Sequence, residues 1–453
     1  MRSFTIREAL QAVEGVYYGE EDALDRAISF VTSDSRTAKS GALFVAFKGA
    51  RVDGHDFMRG CIEQGSVCCL SEREPKAGET PCIVVEDTLK AIGALAKWHR
   101  ARFAMPVVGV TGSVGKTTTK EMIAAVLSER FNTHKTEKNF NNELGVPQTL
   151  LRLDDAHQVS VVEMGISDFG EMHRLTEMVR PSIAVMTVIG DAHLEFLGSR
   201  EGVLKAKGEI FDGMDEADFA VLNGDDALLS AYDPGVPRVT YGMGERCDFR
   251  AENVKNLGMG GLTCTITHHG ASFPAVIDAY GIPTVYAALA AACVGWKLGM
   301  SDEEIARGLT RYQTVGDRAR VVRTERCTVI SDCYNANPNS VAAALDSLRL
   351  LHGRKVCLLG DMLELGVETR KLHYETGRKA QDMDLVLTTG PLSREIAQGA
   401  RDAGVTAMWF ETKEALIEAL GDVILPGDNV LVKASHSMAF ESIVEALKEM
   451  SER

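Results

Sequence analysis

One short segment limits what this chain can fold into more than any other. It is Thr111-Gly112-Ser113-Val114-Gly115-Lys116-Thr117, preceded by the apolar run Val107–Val110 and followed by an amphipathic stretch over Lys116–Arg130. Strand, glycine turn and helix in that order form the context of a phosphate loop. Glycines there let backbone N–H groups close around phosphate oxygens, and the helix N-terminus adds a favourable dipole. In that reading Lys116 reaches the β- and γ-phosphates and the Thr117 hydroxyl faces Mg²⁺. The nucleotide-binding set is then Thr111, Gly112, Ser113, Val114, Gly115, Lys116, Thr117 and Thr118. Val110 stands where the general pattern has a first glycine. A glycine turn that only caps a helix is the competing reading, and Gly-Lys-Thr-Thr-Thr in this context favours the phosphate loop.

Later apolar runs of the same region end in polar residues: Glu163 after Val159–Val162, His193 past Ile183–Ile189, and Asn223 to Asp226 after Phe219–Leu222. Strands alternating with helices imply a parallel sheet, and ligands bind beyond the carboxyl ends of its strands. These side chains are therefore expected around the phosphate loop, with Glu163 as an oxygen ligand for Mg²⁺. His193 read alone is as easily structural as a ligand. Lys205 and Lys207, in the helical stretch Val203–Phe211, read alone as solvated surface lysines. Asn139-Phe140-Asn141-Asn142 precedes a helix expected near Pro147, and by itself such an amide run is explained by turn chemistry.

With 453 residues the chain exceeds one ordinary domain, and three blocks can be drawn. Residues 1–104 mix short strands (Ala42–Phe47, Val67–Leu70, Cys82–Val85) with helical patterns such as Thr88–Arg102. Residues 105–313 open after Ala104-Met105-Pro106, carry the phosphate loop, and change texture over Tyr241–Tyr280, where alternation and glycines suggest an antiparallel hairpin attached to the sheet. The helix Thr284–Leu298 follows, with Pro283 at its first turn. Residues 314–453 carry strands at Thr328–Ser331, Lys355–Leu359, Leu385–Thr388 and Asn429–Val432, with helices such as Ser340–Leu351. The expected class is α/β: a central phosphate-loop parallel sheet with a small antiparallel attachment, a C-terminal Rossmann-like unit and a smaller N-terminal α/β unit. A net charge of −15 argues against a nucleic-acid binder. No apolar run reaches the length of a membrane span, and MRSFTIREAL lacks the apolar core of a signal peptide, so a cytoplasmic protein without membrane insertion is expected. The ten cysteines are scattered without CxxC or zinc spacing and read as core thiols.

With these residues laid out, the chain resembles the Mur ligase family over nearly its whole length. The matching segments are Ser33-Asp-Ser-Arg36, Lys48-Gly49 with Asp53-Gly-His-Asp-Phe57, the phosphate loop through Glu121, Asn139–Asn142, Glu163-Met-Gly165, Ala192-His-Leu194, Lys205–Phe211, Asp332–Pro338 and Leu359–Gly366. Tyr334-Asn-Ala-Asn-Pro338 and Gly360-Asp-Met-Leu-Glu-Leu-Gly366 point to the branch that adds a dipeptide. The resemblance implies an ATP-dependent ligase that joins D-alanyl-D-alanine to UDP-N-acetylmuramoyl-tripeptide through an acyl phosphate, acting as a monomer. It implies that Ser35, Arg36 and Lys48 hold the uridine-diphosphate end and that Asn139 also serves substrate. Asn142 and Arg318 join the nucleotide set. Two Mg²⁺ sites would draw on Thr117, Glu163, His193 and Lys207, the last as a carbamate. Asp332 joins Lys116, His193 and Lys207 as a catalytic residue, and Asn335 and Asn337 meet the incoming dipeptide. Pro283-Thr284 stands where the family usually has His-Asn, and His436 where it has an arginine. A phosphate-loop NTPase or kinase, and a ligase relative that has lost activity, are the competing classes.

Overall fold

The strand Val107–Thr111 is buried at every residue and lies between Val159–Glu163 and Ile183–Met186, parallel to both. From it the chain first builds outward to one side, through Thr133–Lys135 and back to Val159–Glu163. It then builds to the other side, through Ile183–Met186, Phe219–Asn223 and Arg238–Gly242. The phosphate-loop strand is therefore the point where strand order reverses, and the crevice beyond its carboxyl end is where an open α/β sheet binds ligands. The sheet has nine strands. Phe249–Asn256 continues it in parallel, and Leu262–His268 and Ala271–Ile277 complete it as an antiparallel meander. The expected hairpin is thus the edge of the central sheet itself.

This computed structural model describes residues 1–49, 52–257 and 260–450. A smaller sheet of five strands precedes the central one, in the order Val16–Tyr18, Cys82–Val84, Cys68–Ser71, Ala42–Val45, Phe30–Thr32, with only the first antiparallel to its neighbour. The helix Ile6–Val13 that leads into it starts with a capping box, Thr5 accepting from the Glu8 N–H and Glu8 accepting from the Thr5 N–H. A third sheet of six strands follows the central one. Arg320–Arg323 pairs antiparallel with Cys327–Asp332, and Asp428–Lys433, Lys355–Leu359, Leu385–Thr389 and Ala407–Phe410 continue in parallel. All ten cysteines are buried and unpaired, as core thiols should be. Among the described residues no helix is long and apolar enough to cross a membrane.

Element ends differ from the sequence reading where side chains take over from the ladder. The run Ile183–Ile189 leaves the sheet at Met186, because its continuation binds the phosphate loop instead. Thr187 Oγ1 donates to Val114 O at 2.6 Å, and Val188 O accepts from Ser113 N at 2.8 Å. The helix placed near Pro147 is Gly145–Leu150, two residues earlier, with Asn142 Oδ1 accepting from Gly145 N at 2.9 Å.

Candidate active site

The phosphate loop is held open from beneath. Gly112 has φ +144°, and a Cβ there would lie 2.0 Å from Thr187 Oγ1, so only glycine fits. Ser113 Oγ accepts from Gly190 N at 3.0 Å. The helix Lys116–Leu127 opens on Gly115 (φ 86°) with no side-chain cap, which leaves its first N–H groups for an anion. Lys116 Nζ is folded back and donates to Gly112 O at 2.7 Å. Burial pulls its pKa below the usual lysine range, with Glu163 opposing the shift and Arg318 adding to it.

Glu163 is 1 % exposed. Its two oxygens accept from Thr117 Oγ1 and Asn141 Nδ2, each at 2.8 Å, and its own N–H donates to Thr136 Oγ1 at 3.0 Å. Among the described residues no cation is hydrogen-bonded to this carboxylate, and a carboxylate buried with neutral donors alone is poorly compensated. The residues present thus suit a Mg²⁺ ion held by one carboxylate and a hydroxyl, with water and phosphate completing the shell. No group of three or more His, Cys, Asp or Glu side chains among the described residues forms a metal cage.

Lys207, on the helix Arg200–Gly208, is 1 % exposed. The reading of it as a solvated surface lysine fails because that face of the helix turns inward. Burial drives its pKa well below the lysine range, helped by the charge of Lys116 and opposed by Glu171. His193 takes a left-handed backbone (φ 56°), and its Nδ1 lies 2.7 Å from Glu364 Oε2 of the third sheet's unit. Burial holds the imidazole pKa low, and the Lys207 charge acts in the same direction. A neutral imidazole is the form that can ligate a metal.

The opposite wall comes from the C-terminal unit. The Arg318 guanidinium lies 3.7 Å from the centre of the Tyr334 ring, whose far neighbour is His436 at 5.4 Å between ring centres. His436 does not itself line the cavity and meets its wall at the Tyr334 ring. Lys433, 2 % exposed, donates to Asp332 Oδ2 at 2.6 Å and to Asn335 O at 2.8 Å. Asn337 caps the helix Pro338–Arg349, its Oδ1 accepting from Ser340 N at 2.8 Å, so half of its amide is committed to the fold. Thr284 Oγ1 donates to Gly281 O at 2.7 Å. The two units touch closely at Gly190, where a Cβ would lie 2.8 Å from Asn339 Oδ1, and that oxygen accepts from Asp191 N at 2.9 Å.

These walls enclose a cavity of about 590 Å³. It brings together Ser113, Val114, Gly115, Lys116, Thr117, Thr118, Asn142, Glu163, His193, Arg318, Asp332, Asn335 and Asn337 from the sequence expectations. Thr111, Gly112 and Lys207 lie behind its surface, and Asn139 stands outside on the exposed loop. Arg36 lies in a separate cleft of about 750 Å³ with Phe30, Lys39, Gln148 and Arg152, and its guanidinium is 2.7 Å from Asp34. Ser35 adjoins it, and Lys48 is exposed and bridges to Asp53. Sequence reasoning passed over Asn141, Thr136, Glu171 and Lys433. Asn141 was legible within the Asn139–Asn142 run, and Lys433 opens the segment that carries His436 and matches the family's lysine there, whereas nothing local marks Thr136.

The chain is similar to known proteins over nearly its whole length. Residues 27–100 match the Mur ligase family catalytic domain, 110–295 the Mur ligase middle domain, and 317–436 the Mur ligase glutamate ligase domain. The chain is 36% identical to the UDP-N-acetylmuramoyl-tripeptide–D-alanyl-D-alanine ligase of Bacillus subtilis (strain 168), covering 98% of each chain. It superposes on the crystal structure of MurF from Acinetobacter baumannii with a TM-score of 0.91 at 30% identity, covering 99% of both. It also superposes on the MurF ligase of Thermotoga maritima in complex with ADP, with a TM-score of 0.84 at 27% identity over 96% of this chain and 99% of that one. Three family models that together span most of the chain, and a relative 36% identical over 98% of it, show that the chain belongs to the Mur ligase family.

Proposed function

We infer that the chain joins D-alanyl-D-alanine to UDP-N-acetylmuramoyl-tripeptide, using ATP, in the synthesis of peptidoglycan precursor. The observation that carries the reading is one cavity in which Lys116, Thr117 and Glu163 face Arg318, Asp332 and Asn335. A peptide carboxylate is a poor electrophile because oxide is a bad leaving group. Transfer of the γ-phosphoryl of ATP to a carboxylate oxygen gives an acyl phosphate and ADP, with Lys116 and Arg318 holding the spreading negative charge. The dipeptide amine then attacks the acyl carbon, the C–N bond forms, the amine proton is lost and phosphate leaves. Asn335 and the free part of the Asn337 amide are placed to receive the dipeptide, and the C-terminal wall keeps water from the acyl phosphate.

Mg²⁺ bound by Thr117 and Glu163, with His193 and Lys207 toward a second ion, would supply charge neutralisation at the phosphates. For Lys207 the reading takes the neutral amine to add carbon dioxide, forming an N–C bond and releasing a proton. The neutral buried amine thereby becomes an anion suited to a metal. Ser35, Arg36, Lys48 and Asn139 are assigned to the UDP-sugar substrate, and the division into 1–104, 105–313 and 314–453 follows the three roles. The enzyme is read as a cytoplasmic monomer, in keeping with soluble nucleotide-linked substrates. The test is phosphate release from ATP and Mg²⁺ with the UDP-tripeptide present and the dipeptide added or omitted. Release that requires both, with a pentapeptide product by mass, is expected. Release indifferent to the dipeptide would sink the reading.

A further inference from the structure

The cavity wall at Glu143 carries an ion pair that the chemistry above leaves unused, with its arginine standing just behind the lining. Glu143 lines the cavity between Asn142 and Leu144. Its carboxylate faces the Arg174 guanidinium as a fork, Nε to Oε1 and Nη2 to Oε2, the latter at 3.2 Å. Arg174 lies on the helix Glu171–Val179, whose first residue lines the same cavity. Among the described residues Arg174 is the only partner of the Glu143 carboxylate. The neighbouring acids are already committed. Glu171 accepts from Ser167 N at 2.8 Å, and Glu209 accepts from Gly170 N at 3.2 Å and His173 N at 3.0 Å.

The pair is partly exposed, 52% at Arg174 and 30% at Glu143, and such pairs add less than about 1 kcal/mol to stability. Opening it for a ligand therefore costs the fold little. Leu89 and Leu144, 40% and 38% exposed, line the same cavity. The lining therefore combines apolar surface from Leu89 and Leu144 with the Glu143 carboxylate, and the Arg174 fork stands beside that carboxylate.

We propose that Glu143 and Arg174 read the side chain of the acceptor peptide's third residue, and that this side chain ends in an amino-acid zwitterion (meso-diaminopimelate) and not in a bare ammonium (lysine). The inference rests on the proposed function. The carboxylate to be activated belongs to that residue and must lie by Lys116 and Glu163, so its side chain leaves a few carbons away, toward that wall. A zwitterion exchanges partners with the existing pair, carboxylate to Arg174 in the bidentate geometry arginine favours and ammonium to Glu143. A bare ammonium would compete with Arg174 for Glu143 and leave the fork empty.

The experiment compares kcat/KM and calorimetric binding for UDP-N-acetylmuramoyl-tripeptides ending in meso-diaminopimelate or lysine. The wild type is expected to favour meso-diaminopimelate by roughly 10- to 100-fold, the range of one charge-assisted hydrogen-bonded pair. Arg174→Met should collapse that ratio, chiefly through KM, and Arg174→Lys should restore part of it. If Arg174→Met does not fold, Arg174→Lys and Glu143→Gln carry the comparison. Equal use of both acceptors, a preference for lysine, or an unchanged ratio in the variants would overturn the inference alone. Ligation of neither acceptor would instead sink the ligase reading and this inference with it.

Discussion

Tyr280 precedes the helix Pro283–Lys297 of the central unit, yet it belongs to the apolar cluster of the C-terminal unit, with Ile330, Leu345, Leu348 and Leu431. The residue is 7% exposed, and its hydroxyl has no hydrogen-bond partner among the described residues. Burial pushes the phenol pKa up. A buried polar group left unpaired costs roughly 1–3 kcal/mol. Tyr280→Phe removes the oxygen and keeps the ring, so a gain of about 1 kcal/mol is expected. For a unit of this size that raises the melting temperature by roughly 2 to 4 °C. Tyr280→Ala removes the ring as well and leaves a hole, which costs about 3–5 kcal/mol. Calorimetry, resolving the transition of the C-terminal unit, reads both. A Phe variant that melts below the wild type, or an Ala variant that melts with it, would refute the reasoning. Because the ring joins two units, the Phe variant should also hold them together longer. ATP KM is then expected to fall, and kcat with it if product release limits turnover.

Two further outcomes follow from buried groups. Glu163→Gln keeps the shape but removes the charge between Thr117 and Asn141. Phosphate release should fall at least about 100-fold and Mn²⁺ binding by paramagnetic resonance should weaken, and a variant with normal metal binding would count against the assignment. His99 and His134 are held at pKa values of about 4 and about 3, in each case mainly by burial. Their neutral forms are favoured in the fold, so their stabilisation is complete above the unfolded value near 6.5 and is lost as pH falls toward those folded values. Each should cost about 2 kcal/mol by pH 5, and a urea midpoint unchanged between pH 7 and pH 5 would contradict this.

What could be read from sequence was what short-range chemistry decides. The phosphate loop, Pro283 at a helix start and the alternating Leu262–His268 run each carry their structure within a few residues. Among the strands that escaped are Thr133–Lys135, Arg238–Gly242, Arg320–Arg323 and Ala407–Phe410, together with Val16–Tyr18 and Phe30–Thr32 of the first sheet. The first, third and fourth are sheet edges of three or four residues, and their mixed composition gives no period to detect. Lys207 shows the deeper limit. Nothing in Lys205-Ala-Lys207 says which lysine turns inward, because the helix face is chosen by packing against elements distant in sequence. Family resemblance alone separated the two. Asn337 shows the converse, since a residue expected at the substrate also proves to cap a helix. Motif and fold draw on one side chain, and the sequence pattern cannot apportion it.

The close approach at Gly190 has a consequence for how this enzyme could be dissected. The glycine is buried, but its backbone is not left-handed, and the nearest atoms a Cβ would meet there all belong to the Asn339 side chain, so alanine requires that side chain to move. The added methyl would press on Asn339 and act as a wedge between the units. Gly190 also donates to Ser113 of the phosphate loop at 3.0 Å, so ATP binding reports whether the loop survives the substitution and acyl transfer reports the seam. ATP binding could then be measured apart from acyl transfer, in a protein held ajar by a single methyl group.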